Sequence, residues 1–168
     1  ITAKTPPNWH LHKPVTITAT DGQYLVDHLT FAANDTTFNI LRARGIQYGT
    51  QQRFQPPSAV PSWPGAKNST QFGPDCINAP WYEKLLSIGL DAQSEDCLYL
   101  NVWAPAKPPT TSTTTSNTLP VLFWIHGGSF VLGGSSTFNP EEMLGYRSDV
   151  IVVTANYRLG GLGWLGGR

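Results

Sequence analysis

The chain has 168 residues, 40% of them hydrophobic and 13% charged, which is enough for one domain with its own core. Lys plus Arg and Asp plus Glu both number 11, so the formal net charge is zero, and nucleic acid is a poor partner because phosphate binding needs a basic face. No apolar run approaches the roughly 20 residues of a membrane helix. No signal peptide remains, and the chain begins at Ile1 rather than Met, as a processed N-terminus would.

Residues 1–14 contain Pro6, Pro7 and Pro14 and read as irregular. His10 and His12 sit two apart, on one face of any strand there; they read as surface residues, with a metal site as the lesser alternative. The segment 15–19 alternates, Asp21-Gly22 is a hairpin signal, and residues 23–31 give the return strand. A further strand is expected over 38–46. Residues 45–78 are rich in Pro, Gly and aromatic residues, and Tyr48, Phe54, Trp63 and Phe72 predict an ordered loop packed on the body of the domain. Residues 79–90 carry a short helical pattern ended by Gly89.

Cys76 and Cys97 bracket that helix. Two cysteines most simply form one disulfide, with two free buried thiols as the alternative. No second Cys pair or nearby His completes a zinc set, so no metal is expected. Asn34-Asp35-Thr36 and Asn68-Ser69-Thr70 are N-glycosylation sequons. Sequons and a disulfide together favour a secreted, extracellular protein.

Residues 98–103 form a strand that becomes buried. The Pro-, Ser- and Thr-rich segment 104–118 is of low complexity and reads as an exposed loop between two adjacent strands. Residues 121–125 are apolar throughout, as are 150–156, the pattern of strands covered on both faces. The connection between these two is long enough for a crossover. It carries a short helix near 141–146, with Asn139 as its cap and Pro140 in its first turn. Residues 157–163 read as a Gly-rich turn. The pattern is that of an α/β sheet preceded by an antiparallel part.

The chemistry points to His126-Gly127-Gly128-Ser129-Phe130, where the first of these apolar strands breaks into a Gly-rich loop. Without Cβ atoms at 127 and 128, a substrate oxygen can approach the backbone amides closely. Such a loop suits an oxyanion hole, whose prearranged donors stabilise the charge that develops in acyl transfer. The loop lacks the G-K-[ST] of a phosphate loop and the G-x-G-x-x-G of a dinucleotide site. Ser129 has no elbow and no partner, so it is not the nucleophile. His126 reads as packing and hydrogen bonding beneath the loop, with triad base as the lesser alternative. Phe130 reads as core. Trp81, Tyr82 and Phe138 stand between core packing and the lining of a substrate gorge, which is the lesser alternative for Phe130.

Four segments in collinear order, GIQYGTQQRFQPP…WPGAKNSTQFGPDC (45–76), SEDCLYLNVWAP (94–105), PVLFWIHGGSFVLGG (120–134) and VIVVTANYRLGGLGWL (150–165), resemble the type-B carboxylesterase/lipase family, which includes cholinesterases and fungal secreted lipases. The resemblance runs from about residue 15 to the end. It implies an α/β-hydrolase fold, here the N-terminal part of a mixed, mostly parallel central sheet with an antiparallel N-terminal hairpin. It implies a carboxylic ester hydrolase that needs no cofactor and works through a serine acyl-enzyme. By its motif the oxyanion amides are those of Gly128 and Ser129, with Gly127 shaping the turn. Cys76–Cys97 matches the family's first disulfide, Arg53 and Glu95 match a family ion pair, and Arg158 matches a structural residue.

The family's G-E-S-A-G elbow, acid and histidine lie further along, and no G-x-S-x-G occurs in residues 1–168. The expectation is therefore that 1–168 is the N-terminal portion of one catalytic domain, left with an open edge at 150–156. The triad-bearing remainder would be a second chain or absent, with Arg168 as a site of nicking or an arbitrary end. The expected substrate is a small-molecule or lipid ester. The competing readings are a non-catalytic, cholinesterase-like binding protein that has lost the nucleophile, and a biosynthetic enzyme that reuses the fold for a non-hydrolytic reaction.

Overall fold

A computed structural model of the chain describes residues 9–33, 36–79, 92–106, 118–145, 147 and 149–166. Two primarily antiparallel strands, β2 (Val15–Thr18) and β3 (Gln23–Ala33), meet at the Asp21-Gly22 turn with Thr18 opposite Gln23. On the other half of β3 lies β1 (Trp9–Leu11), a short strand where the prolines predicted irregular chain. β4 (Thr36–Gln47) pairs antiparallel with β3 from Ala33 opposite Thr36 to Asp27 opposite Arg42.

Alternation along β3 lets it serve two cores. Tyr24 and Val26 pack on one face with Ala43, Val15, Ile17 and Trp63. Leu29, on the other face, packs with Ile40, Trp103, Leu144 and Val152. On the same face as Leu29 sits a buried ion cluster. Asp27 accepts from Arg42 at 2.8 Å and from Arg44 at 3.1 Å, and Arg42 also reaches Glu141 at 2.6 Å. Glu141 opens the short helix α1 (Glu141–Leu144), where the Asn139 side chain accepts from its amide at 3.0 Å.

The remaining strands are β5 (Ala66–Asn68), β6 (Asp75–Cys76), β7 (Gln93–Ser94), β8 (Tyr99–Pro105), β9 (Val121–Ile125) and β10 (Ile151–Ala155). Among the described residues the main sheet runs β1-β3-β4-β8-β10-β9, with β2 and β5 also on β3. This corrects three expectations. First, the sheet is mixed, but its pairings in this chain are mostly antiparallel. The parallel pairs are β9 with β10 and β3 with β5, besides the small β6–β7 pair. Strands joined by tight turns can pair only antiparallel, and the long connection 126–150 is what permits the parallel pair β9–β10.

Second, the segment 104–118 does not join neighbours. β10 lies between β8 and β9, antiparallel to one and parallel to the other, so Val152 faces both Trp103 and Leu122. Of the low-complexity segment itself, residues 107–117 lie outside the described residues. Third, among the described residues the open edge is therefore β9 rather than 150–156. β9 is apolar yet uncovered, with Val121 59% and Ile125 66% exposed, whereas Val152 is fully buried. The short helix expected within 79–90 lies, from residue 80 on, outside the described residues. The Gly-rich turn after β10 includes a helical turn, α2 (Gly160–Trp164).

Removing one member of a buried ion cluster leaves the others uncompensated. In the full-length protein, Asp27→Ala should cost about 3–5 kcal/mol, read as a lowered urea midpoint. Arg147→Ala, which breaks an exposed pair with Asp149 at 2.8 Å, should leave the midpoint nearly unchanged in the same assay.

Candidate active site

The chain leaves β9 at Ile125 and turns sharply. Gly128, Ser129 and Phe130 have φ of 125°, 54° and 62°. Positive φ is uncommon for side chains other than glycine and costs of order 1–3 kcal/mol per residue, so its persistence at Ser129 and Phe130 shows a loop over-determined by its surroundings. The Val131 amide returns to the Gly128 carbonyl at 3.1 Å, closing a turn with Ser129 and Phe130 at its centre. Gly128 is obligatory, since a Cβ there would lie 1.9 Å from the Leu132 carbonyl oxygen.

Carbonyl oxygens of this loop are held from behind. The Tyr157 hydroxyl donates to His126 O at 2.8 Å, and His126 Nδ1 bonds Gly127 O at 2.9 Å. Val131 and Leu132 amides, both at 3.1 Å, take Gly128 O; the Gly160 amide takes Phe130 O at 2.7 Å, and Ala79 N takes Val131 O at 2.9 Å. On the return to the sheet, two buried asparagines accept from the backbone, Asn78 from Gly133 N at 2.6 Å and Asn156 from Ser135 N at 2.7 Å. The amides of Gly127, Gly128 and Ser129, by contrast, donate to nothing among the described residues. The loop is thus rich in unused donors and has most of its acceptors satisfied.

Those residues line a cavity of about 670 Å³ whose walls include Phe123, Ile125, Phe130, Tyr157 and Trp164. Phe130, expected in the core, is 58% exposed and meets Trp164 edge-on at 4.6 Å, because the positive φ values at 129 and 130 turn it outward. Phe138 is half-buried and stacks on Trp124 at 4.8 Å, while Trp81 and Tyr82 lie outside the described residues. His126 is 4% exposed beneath the loop and stacks on Tyr157 at 4.3 Å. Burial pushes its pKa below the ordinary imidazole value, against the weaker upward pull of its bond to Gly127.

The other singled-out residues lie behind or beside this loop. Cys76 and Cys97 are joined in a disulfide and pack with Leu98 and Leu159. Arg53 and Glu95 form an exposed bidentate ion pair, which holds the Glu95 carboxyl below its usual pKa. Arg158 donates to Gln55 O at 2.8 Å and ties the turn after β10 to the ordered loop. Asn68 is exposed, and its side-chain oxygen accepts from the Thr70 amide and hydroxyl at 3.1 and 2.8 Å; Asn34 lies outside the described residues. His10 and His12 are exposed, with His12 Nε2 2.8 Å from the Thr30 hydroxyl. Among the described residues no group of three or more metal-ligating side chains is close enough to hold a metal ion. Sequence reasoning missed Asn78 and Asn156. The one available signal was a polar residue directly after the apolar run of β10.

The profile of the carboxylesterase family matches residues 32–167. The chain belongs to the carboxylesterase family. It is 42% identical over 130 residues to the para-nitrobenzyl esterase of Bacillus subtilis, covering 73% of this chain and 24% of that protein. It is 35% identical over 164 residues to mouse neuroligin-2, covering 79% of this chain and 20% of that protein. Mouse carboxylesterase 1C is 40% identical over 116 residues, or 64% of this chain and 20% of that one. A solved PNB esterase superposes with a TM-score of 0.68 at 34% identity, over 90% of this chain and 29% of its own. The α/β-hydrolase fold of this family member is thereby established, and the chain spans roughly a fifth to a quarter of these curated relatives.

Two outcomes follow from the loop's packing. A Cβ at Gly133, whose φ is 111°, would lie 2.5 Å from both Gly127 O and His126 Nδ1, so Gly133→Ala should destabilise the full-length protein by about 1–3 kcal/mol in chemical denaturation. Because His126 is depressed, the unfolded chain takes up its proton first as pH falls. Its contribution to stability is therefore complete at neutral pH and above, and declines below about pH 6.5. Stability measured from pH 7 to 5 should fall less steeply in His126→Phe.

Proposed function

We propose that the protein is a carboxylic ester hydrolase in which the Gly128 and Ser129 amides form the oxyanion hole. The observation that carries this reading is their lack of partners beside an apolar cavity, in a member of the carboxylesterase family. A serine hydroxyl attacks the ester carbonyl carbon and passes its proton to a histidine base. The carbonyl oxygen takes the negative charge and receives the two N–H donors. Collapse expels the alcohol, which regains the proton, and water then releases the acid from the acyl-enzyme. The largely apolar walls suit an ester with a hydrocarbon acyl or alcohol group.

The nucleophile, acid and base have no matching elbow in residues 1–168, so sequence outside them supplies these groups. Sequons at Asn34 and Asn68, with the disulfide, support secretion and glycosylation. Similarity to neuroligin-2 favours a second reading, a binding protein on the same fold without hydrolysis.

Full-length protein should be labelled by a fluorophosphonate and should hydrolyse 4-nitrophenyl esters. Gly128→Ala, which drives a methyl group into the Leu132 carbonyl, should lower kcat by about a hundredfold or more. Absence of both labelling and turnover in folded wild-type protein would leave the binding reading standing.

A further inference from the structure

His126 Nδ1 lies 2.9 Å from Gly127 O. A carbonyl oxygen only accepts, so Nδ1 carries the proton, and the neutral ring leaves Nε2 without one. In a trans peptide the C=O and N–H point in opposite directions. Gly127 O and Gly128 N belong to the same peptide unit. Pinning the oxygen beneath the loop therefore aims the Gly128 N–H away from the ring, and polarisation of the peptide makes that N–H a better donor. The following peptide is fixed in a similar way, with Gly128 O held by the Val131 and Leu132 amides, so the Ser129 N–H is aimed by backbone alone. For Gly128 the pin is a side chain.

From this geometry we infer that His126 is a positioning residue, which as its Nδ1–H tautomer orients the Gly127–Gly128 peptide so that the Gly128 amide meets the developing oxyanion. The inference rests on the ester-hydrolase reading above. The ring is located from two sides. Tyr157 stacks on it with planes 14° apart, and the Tyr157 hydroxyl holds the His126 carbonyl at 2.8 Å. Gly133 completes the fit, since any side chain there would separate the ring from the Gly127 oxygen. Packing alone would be met by any flat ring; the bond from Nδ1 is what a phenyl group cannot supply.

Two variants of the full-length protein separate those roles. His126→Phe keeps the stack on Tyr157 but has no donor, whereas His126→Asn offers a side-chain N–H near the Nδ1 position but no ring. With 4-nitrophenyl butyrate, His126→Phe should lose about tenfold to a hundredfold in kcat with KM nearly unchanged, and His126→Asn should recover most of the loss. In protein labelled with 15N-glycine, the Gly128 amide resonance should move in the Phe variant and return towards wild type in the Asn variant. Long-range 1H–15N spectra of the wild-type ring should show the proton on Nδ1.

A folded Phe variant with wild-type kcat, or equal losses in both variants, would overturn the inference. So would a proton on Nε2, whether or not the protein turns over esters. Wild-type protein inert towards esters, with the proton on Nδ1 and the Gly128 resonance responding as described, would instead sink the hydrolase reading and with it the catalytic use of a peptide orientation that His126 does set.

Discussion

Everything at the candidate site depends on where the backbone oxygens of residues 126–131 go. Those of His126, Gly127, Gly128, Phe130 and Val131 are bonded inward, to Tyr157, His126, the loop's own amides, Gly160 and Ala79. A peptide whose oxygen is fixed has little choice about its nitrogen. The free donors are thus a result of acceptor accounting in the layer below. That layer is assembled from three stretches distant in sequence: the segment after β6, the loop itself and the turn after β10.

The scaffold beneath explains why such a strained turn persists. Asn78 follows two residues after Cys76, so the disulfide to Cys97 fixes the base from which Asn78 reaches Gly133. Asn156 follows β10, the strand held on both sides by β8 and β9, and reaches both Ser135 N and Pro74 O. Buried amides of this kind are costly when unpaired and specific when paired. Here each has donor and acceptor partners, and the loop between them has little freedom to relax its positive φ values.

Much of this organisation was legible in the residues. Asp21-Gly22 between alternating runs fixed the first hairpin, and the Gly127-Gly128 break after an apolar run marked the site. What stayed hidden was non-local. Strand order cannot be read from apolarity, because an edge strand such as β9 and a central one such as β10 both read as short apolar runs; hence the misplaced edge. Phe130 carries no sign of its outward orientation, which the backbone dihedrals at 129 and 130 decide. Isolated asparagines give no pattern, so the clamp of Asn78 and Asn156 emerged only when the chain was seen folded. His126 was legible as a residue beneath the loop, but its partner was not.

The uncovered flank of β9 bears on how the molecule can be handled. Val121, Leu122, Phe123 and Ile125 surround a run of backbone groups with pairing capacity to spare on one side. A recombinant polypeptide limited to these 168 residues would offer that flank to its own copies, favouring self-association and inclusion bodies over soluble yield.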